Sequence, residues 1–381
     1  MKNGKNKIAP FFKLIRKAFS SILVVLTLFL GIVLILSAYA DRFSPATYSA
    51  FPSYVAFLFP AFLMVNLISL LYWLVRRKWP FFIVIVFIAI SWPSVNAFFP
   101  IHFKQKVPEN AIKFVTFNVE HFDLYAPHGE KQKNPIVQYI LDMDADIICL
   151  QEYAYLYVNG KPDIHEDFKK KYPYYRTDDV INVNNYKYNG LACFSKYPII
   201  EAWRVPYYSQ YNGSVVFKID VNGKIITLIN NHLETNRITK NDKEQYAHAL
   251  NVNGVKDAKK KVRELTSITR DRLGVAFKIR AEQAKIVAEE INKASGHIIV
   301  CGDLNDPPNS YARYKIKGKL KDAFADTGFG MSHTYNENKF YFRIDHIFHT
   351  PNLKAYNCYV DDDKKYSDHY PMICYFTFND K

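Results

Sequence analysis

Three stretches in the first hundred residues contain no Asp, Glu, Lys or Arg: 18–40, 43–75 and 79–103. Each is longer than the roughly 20 apolar residues that cross a hydrocarbon core. A chain with three such runs in succession cannot bury them all in one water-soluble core, so we expect three transmembrane helices, at about 18–40, 52–75 and 79–100. The second begins only near Pro52, because the prolines at 45 and 52 oppose helix further upstream. The third carries Trp79 and Trp92 near its ends, where interfacial aromatics gather. Basic residues followed by an apolar run and Ala38-Tyr39-Ala40 also outline a cleaved signal segment. That run is longer than a usual signal core, and two more spans follow it, so an anchor is the better reading.

Charge gives the expected orientation. Residues 1–108 hold 12 Lys/Arg and one acid, Asp41, whereas residues 109–381 hold 38 Lys/Arg and 35 Asp/Glu. Most of the net +14 therefore sits in the anchor, and the near-neutral remainder gives no sign of strong sequence-independent duplex binding. Nine bases lie before the first span and between the second and third, against three (Arg42, Lys104 and Lys106) on the opposite side. The positive-inside rule then puts the N-terminus in the cytoplasm and residues 109–381 outside it, periplasmic or extracellular.

From residue 112 the pattern changes to short apolar or alternating runs: IKFVTFNV, ADIICLQE, NGLACFS, SVVFKIDV, KIITLINNHL, HIIVCGDLN, KFYFRIDHIF and MICYFTF. These read as strands, with VNGK at 221–224 a hairpin turn. Helices are expected at 134–142 and about 276–294, the latter from its apolar spacing. Many strands with few helices imply two packed, mainly antiparallel sheets flanked by helices rather than a doubly wound parallel sheet. The five cysteines (149, 193, 301, 358 and 374) form no metal-ligand spacing and read as small buried core residues. Residues 237–280 hold 12 Lys/Arg against 5 Asp/Glu, a basic insertion at about 237–275 that reads as a solvated surface, or else as a flap beside the site that meets anions.

The strands end in chemistry. VCGDLNDPPNS closes an apolar run with Gly302, Asp303 and Asn305, and residues two apart on an extended chain share a side. FNVEHF ends in Asn118 and Glu120, CLQEY in Glu152, and INNHLE in His232; FRIDHIF carries Asp345, and YSDHYPM pairs Asp368 with His369. One strand-end carboxylate is ordinarily a turn or a cap. Six such ends in one domain are improbable as accumulated turn chemistry. Oxygen ligands without thiolates suit a hard cation, above all magnesium. Histidines paired with carboxylates suit proton transfer near neutral pH. Together they describe metal-assisted attack of water on phosphorus; there is no HExxH and no Gly-rich phosphate loop.

NVEHF, LQE, NHLE, GDLND, RIDHIF and SDHYP, in this order over about residues 112–378, resemble the endonuclease/exonuclease/phosphatase superfamily, which includes deoxyribonucleases and neutral sphingomyelinases. The resemblance implies a four-layer α/β/β/α sandwich with the site where loops of the two sheets meet. It implies Glu152 as principal magnesium ligand, with Asn118 nearby and Asp368 a further metal contact; manganese would be a substitute ion. His369, oriented by Asp345, would activate the water or stabilise the pentacovalent phosphate. Asp303 would orient the nucleophile or assist proton transfer. Asn305 and His232 would hold phosphate oxygens, with His232 aiding the leaving group. Glu120 falls where some members carry an acidic ligand.

The expected protein is a membrane-anchored, magnesium-dependent phosphoester hydrolase with an anchor over 1–108 and a catalytic domain over 109–381. A phosphodiester is the expected substrate, with nucleic acid ahead of phospholipid; the bilayer is the other expected partner, and no protein partner is indicated. The alternatives are a sphingomyelinase-like phospholipid phosphodiesterase and a catalytically silent anchored binding module.

Overall fold

The computed structural model describes residues 5–123, 134–155, 164–183, 187–236, 269–337 and 342–379. The basic insertion expected at about 237–275 lies, as far as residue 268, outside the described residues. The chain begins with helices α1 (Lys5–Tyr39), α2 (Phe51–Phe57), α3 (Phe59–Val75), α4 (Pro80–Ile90) and α5 (Trp92–Phe98). Strand β1 (Ile112–Asn118), helix α6 (Pro135–Asp142), strand β2 (Ile147–Tyr155) and helix α7 (Ile164–Lys171) follow. Next come β3 (Tyr174–Val183), β4 (Lys187–Ser195), β5 (Ile199–Arg204), β6 (Gly213–Val221) and β7 (Lys224–His232). Then come α8 (Gly274–Lys293), β8 (His297–Asp303), α9 (Tyr311–Lys317), β9 (Lys321–Asp322) and α10 (Ala323–Thr327). Strands β10 (Asp345–His349), β11 (Leu353–Val360) and β12 (Met372–Phe378) complete the chain.

Three continuous spans were expected, and the described residues contain one. Only the first helix, over Phe12–Arg42, is by itself long and apolar enough to cross a membrane. The second and third runs are each broken: α2 and α3 meet at 51°, α4 and α5 at 69°. Each break falls two residues before a proline, at Leu58 before Pro60 and at Ser91 before Pro93. A proline ring lacks the N–H and clashes with the carbonyl four residues back, so an apolar run of sufficient length still cannot continue straight. Each pair passes as one span only if taken together across its bend.

Two six-stranded sheets stack face to face, in the orders β11-β12-β1-β2-β4-β3 and β5-β6-β7-β8-β10-β9. Most neighbours are antiparallel. The pairs β1/β2 and β7/β8 are parallel, and each needs a crossover connection, which α6 and α8 supply. These helices cover the outer faces. On β1, Ile112 and Phe114 face the other sheet while Val115 and Phe117 face the α6/α7 layer. On β8, Ile299 and Cys301 face inward while Ile298 and Val300 face α8 and α9. This is the four-layer α/β/β/α sandwich. All five cysteines are buried and unbridged, as expected of small core residues.

The alternation that builds the core also aims the site. Along β1 the inward set Ile112, Phe114 and Thr116 ends at Asn118; along β7, Ile226, Leu228 and Asn230 end at His232; along β8, Ile299 and Cys301 end at Asp303. The inter-sheet core turns polar on the way: Gln151 donates to Thr116 Oγ1 at 3.0 Å and to Asn230 Oδ1 at 2.6 Å. Gly302 makes the close parallel pairing possible. Its φ is +117°, and a Cβ there would lie 2.0 Å from the Asn231 carbonyl oxygen. Gly302→Ala is therefore expected to destabilise the chain by about 3 kcal/mol or more, combining backbone strain with overpacking, read as a lowered urea midpoint of the detergent-solubilised chain. A change under 1 kcal/mol would mean that β7 and β8 can separate freely.

Candidate active site

Glu152 does not reach the site by simple alternation. Leu150 and Tyr153 both face α6/α7, and the register of β2 on β4 shifts between them. At this bulge Glu152 takes φ +51°, which turns its carboxylate toward the inter-sheet side. Asn118 Nδ2 then lies 3.2 Å from Glu152 Oε1 and 3.2 Å from Asp303 Oδ2, so one amide bridges two carboxylates from different sheets. His232 Nε2 sits 3.7 Å from the Glu152 oxygen and 3.8 Å from that of Asp303.

Asp303 and Asp345 are directly paired across β8 and β10, and both are about 1% exposed. His369 joins them: its Nδ1 is 2.8 Å from Asp345 Oδ2 and its Nε2 is 3.7 Å from Asp303 Oδ2. The turn that carries it is tied to β1, since Ser367 Oγ donates to the Asn118 carbonyl at 2.9 Å. Asn305, at φ +53°, folds back on Asp303, its backbone N–H donating to Oδ1 at 2.7 Å and its amide to Oδ2 at 3.2 Å. Asp368 is at the rim, where its N–H donates to Glu120 Oε2 at 3.1 Å. All nine residues singled out in the sequence, Glu120 included, thus converge on one end of the sandwich. Asp345 begins a strand rather than lying inside one, and Thr334 Oγ1 holds its N–H at 3.1 Å.

Burial and crowding set the protonation. Burial pushes the Asp303 carboxyl up to about 8, with the neighbouring Asp345 charge adding to the rise and His369 opposing it. Burial opposes charge on His369, but Asp345 and Asp303 outweigh it and hold the imidazolium well above the usual range. His232 is shifted down by burial, against the pull of Glu152. Burial raises Glu152, yet His232, His121 and Asn118 together bring it below its ordinary value. Glu120 is lifted to about 7 by burial and by the Asp368 charge. The site thus holds more carboxylates than cations, and near neutral pH Asp303, and in part Glu120, carry protons in place of a cation.

That excess is what a hard cation would relieve. The donors are carboxylate oxygens, and Asp345 Oδ1 is buried with no hydrogen-bond partner. The ligand atoms of Asp303, Asp345 and His369 lie within 4.8 Å of one another, close enough to share an ion. His369 and Asp345 already engage each other, whereas the Glu152 side chain keeps 21% of its surface open. An arriving ion would meet Glu152 first, with Asn118 and Asp303 behind it.

The structure adds residues that the sequence reading passed over. His121 Nδ1 lies 3.3 Å from Glu152 Oε2, aimed by a run of left-handed residues from Glu120 to Asp123. Its only sequence signal was its place in NVEHF. Arg280, fully buried on α8, donates to Asp306 Oδ1 at 2.7 Å and to the Glu234 carbonyl at 2.8 Å, bracing the loops after β8 and β7. Arg280→Met leaves Asp306 as an uncompensated buried charge, an expected loss of about 3–5 kcal/mol visible as a lower melting temperature. An unchanged melting temperature would remove Arg280 from the scaffold of the site.

A family model described as the endonuclease/exonuclease/phosphatase family matches residues 115–369. The chain belongs to the endonuclease/exonuclease/phosphatase family. It is accordingly a hydrolase of phosphoric esters of the divalent-metal-dependent kind. A second model, described as a domain of unknown function, matches residues 20–98. No curated protein matches. Among solved structures, TDP2 of D. rerio complexed with single strand DNA product is 15% identical, covers 71% of this chain and 100% of its own, and scores a TM of 0.48. The human Nocturnin catalytic domain with bound sulfate anion gives 15% identity, 72% and 96% coverage and a TM-score of 0.49. A family member from Bacteroides vulgatus gives 18%, 71%, 100% and 0.48. The family assignment rests on the family model and not on these likenesses.

Proposed function

We propose that this family member is a membrane-anchored, magnesium-dependent phosphodiesterase that cleaves nucleic acid outside the cytoplasm. The observation that carries the hydrolytic reading is the convergence of Glu152, Asp303 and His369, which lie far apart in the chain, around the Asn118 amide and the His232 imidazole. Glu152 would be the ion's principal ligand, with Asn118 nearby and Asp368 a further contact; Glu120 lies at the same rim. When bound, the ion would supply charge neutralisation at a phosphate oxygen. Asp303, in its deprotonated form, takes the proton of the attacking water. His369, kept charged by Asp345, donates from Nε2 to the phosphoryl oxygens as charge builds on them. His232 faces the remaining phosphate oxygens while Asn305 fixes the Asp303 carboxyl, and the proton that Asp303 has taken is the one available to the leaving group.

Nucleic acid is favoured over phospholipid by the loop beside His232. Asn212 donates to the Leu233 carbonyl at 3.0 Å, and Ser209 Oγ to Glu234 at 3.1 Å. The same loop holds Tyr208 at 91% exposure and Tyr211 at 53%. Exposed aromatic rings stack unpaired bases without sequence preference. The anchor over 1–108, its cytoplasmic N-terminus and the catalytic domain over 109–381 form the rest of the proposal, supported by the apolar helix at Phe12–Arg42 and by the distribution of basic residues.

The test is a panel of DNA, RNA, sphingomyelin and phosphoinositides with magnesium, with Glu152→Gln as the blank. Turnover of single-stranded nucleic acid that the blank lacks is expected. Turnover confined to lipid vesicles would overturn the nucleic-acid reading, and none at all from a folded chain would leave a silent binding module. Release of the chain from membranes by alkaline carbonate would overturn the anchor.

A further inference from the structure

Away from the catalytic centre, a cavity of about 610 Å³ opens where the anchor meets the catalytic domain. Its walls are the end of α1 with the short turn after it (38–42), α5, the loop at 308–309, and the chain from α9 through β9 into α10. The junction is built rather than incidental: Ser94 Oγ bonds the Ala38 carbonyl at 2.8 Å and Asn309 Oδ1 at 3.2 Å. The cavity therefore exists only when both parts are docked. Its volume falls in the range of about 300–1,000 Å³ usual for small-ligand sites.

The walls are cationic and under-neutralised. Arg313 and Asp322 satisfy each other at 2.6 Å. That leaves Arg42, Lys317, Lys319 and Lys321 against Asp41 and Asp326. Arg313 itself is 7% exposed, and its Nε, buried, has no hydrogen-bond partner. An orphaned buried donor of this kind is costly unless something accepts from it. Lys317 is half-buried with no ion pair among the described residues, and its ammonium is pushed below the usual range by burial and by the Arg313 charge. Gly318, at φ +44°, reverses the chain after α9 and brings the following lysines back over the cavity.

We propose that this cavity binds a phosphate-bearing anion, supplied by the headgroup of an anionic phospholipid or by free phosphate. The Arg313 guanidinium in the wall and the half-buried Lys317 ammonium can form charge-assisted bonds to phosphate oxygens. The level in the molecule matches a headgroup. The cavity lies where the apolar run of α1 ends, beside Tyr39, which is covered by Arg42 at 4.4 Å, and its wall residue Pro93 directly follows Trp92, 53% exposed. Aromatic and basic residues mark that boundary in membrane helices. The lipid source rests on the membrane anchor proposed above; the phosphate chemistry does not.

The test uses the full chain in detergent and the double variant Lys317→Gln/Lys319→Gln, whose side chains lie outside the core and outside the catalytic centre. Native mass spectrometry would follow retention of phosphatidylglycerol against phosphatidylcholine, and calorimetry would follow inorganic phosphate. Wild type is expected to retain phosphatidylglycerol selectively and the double variant to bind it at least about tenfold more weakly, as loss of charge-assisted contacts requires. Phosphate binding that the double variant loses, without lipid retention, would assign the free ion as the source. Binding of neither, or equal binding by both proteins, would overturn the site. Hydrolysis of bis(4-nitrophenyl) phosphate should be the same in both proteins. A folded wild type that binds lipid but hydrolyses nothing would sink the catalytic proposal and leave this one standing.

Discussion

His369→Ala should lower kcat/KM on a phosphodiester by about 10²–10⁴-fold, the usual contribution of a positioned proton-transfer group, while magnesium binding persists. His369 reaches the basin through one ring edge only: Nδ1 is held by Asp345 at 2.8 Å, leaving Nε2 to point past Asp303 at 3.7 Å. Truncation removes a charged donor and also strips Asp345 Oδ2 of its partner, when Oδ1 already has none. Some stability is therefore lost too, about 1–3 kcal/mol for an unsatisfied buried group, and kinetics should be read below the variant's melting point. Asp345→Asn should cost nearly as much, because an amide no longer holds the imidazolium. The double variant should be little worse than either single one, as for groups that act as a unit. A drop of less than tenfold in His369→Ala, with the fold intact, would take this residue out of the chemistry.

The parts of the site that the sequence disclosed are those where strand alternation runs unbroken to the last residue. Ile299, Cys301 and Asp303 share a face because the pleat repeats every two residues, and the same holds for Leu228, Asn230 and His232. Gly302 lies in that same run, where the Asn231 carbonyl of the neighbouring strand comes close. Glu152 was named from its place in LQE, but its route into the site was hidden. Alternation puts it with Leu150 on the outer face, and only the bulge reverses it. His121 was missed for a related reason: four consecutive left-handed residues carry no periodicity to extrapolate. Hydropathy gave the lengths of the three apolar runs but not their shape. A proline two residues past Leu58 and another past Ser91 decide that two of them bend.

Without a divalent ion, the chain should lose stability as pH rises from 6.5 to 8, and magnesium should restore it. Asp303, with its folded-state pKa raised to about 8, keeps a proton that the unfolded chain would already have released. Glu120, raised to about 7, does the same over the lower part of this window. Folded protein thus binds more protons than unfolded protein, and stability falls with pH at about 1.4 kcal/mol per pH unit for each such proton. His369 has the same sign: its pairing stabilises fully below the ordinary histidine pKa and is lost as pH rises through its raised value. His232 has the opposite sign, because its depressed folded pKa favours the folded state as pH climbs to 6.5. Only about RT ln 2, some 0.4 kcal/mol, of that gain remains above 6.5, where unfolded histidine is half protonated, and it is too small to offset the fall. Glu152, shifted down, matters only on the acid side. A cation bound to the same carboxylates competes with their protons and stabilises more at higher pH, by about 2.7 kcal/mol at a hundredfold excess over its Kd. Melting curves of the EDTA-treated chain at pH 6.5 and 8, with and without magnesium, read both effects. Asp303→Asn should flatten the first and Glu152→Gln should weaken the second. A metal-free melting temperature that held steady or rose across that interval would mean that the buried carboxylates are neutralised from within, and the basin would then have no need of an ion.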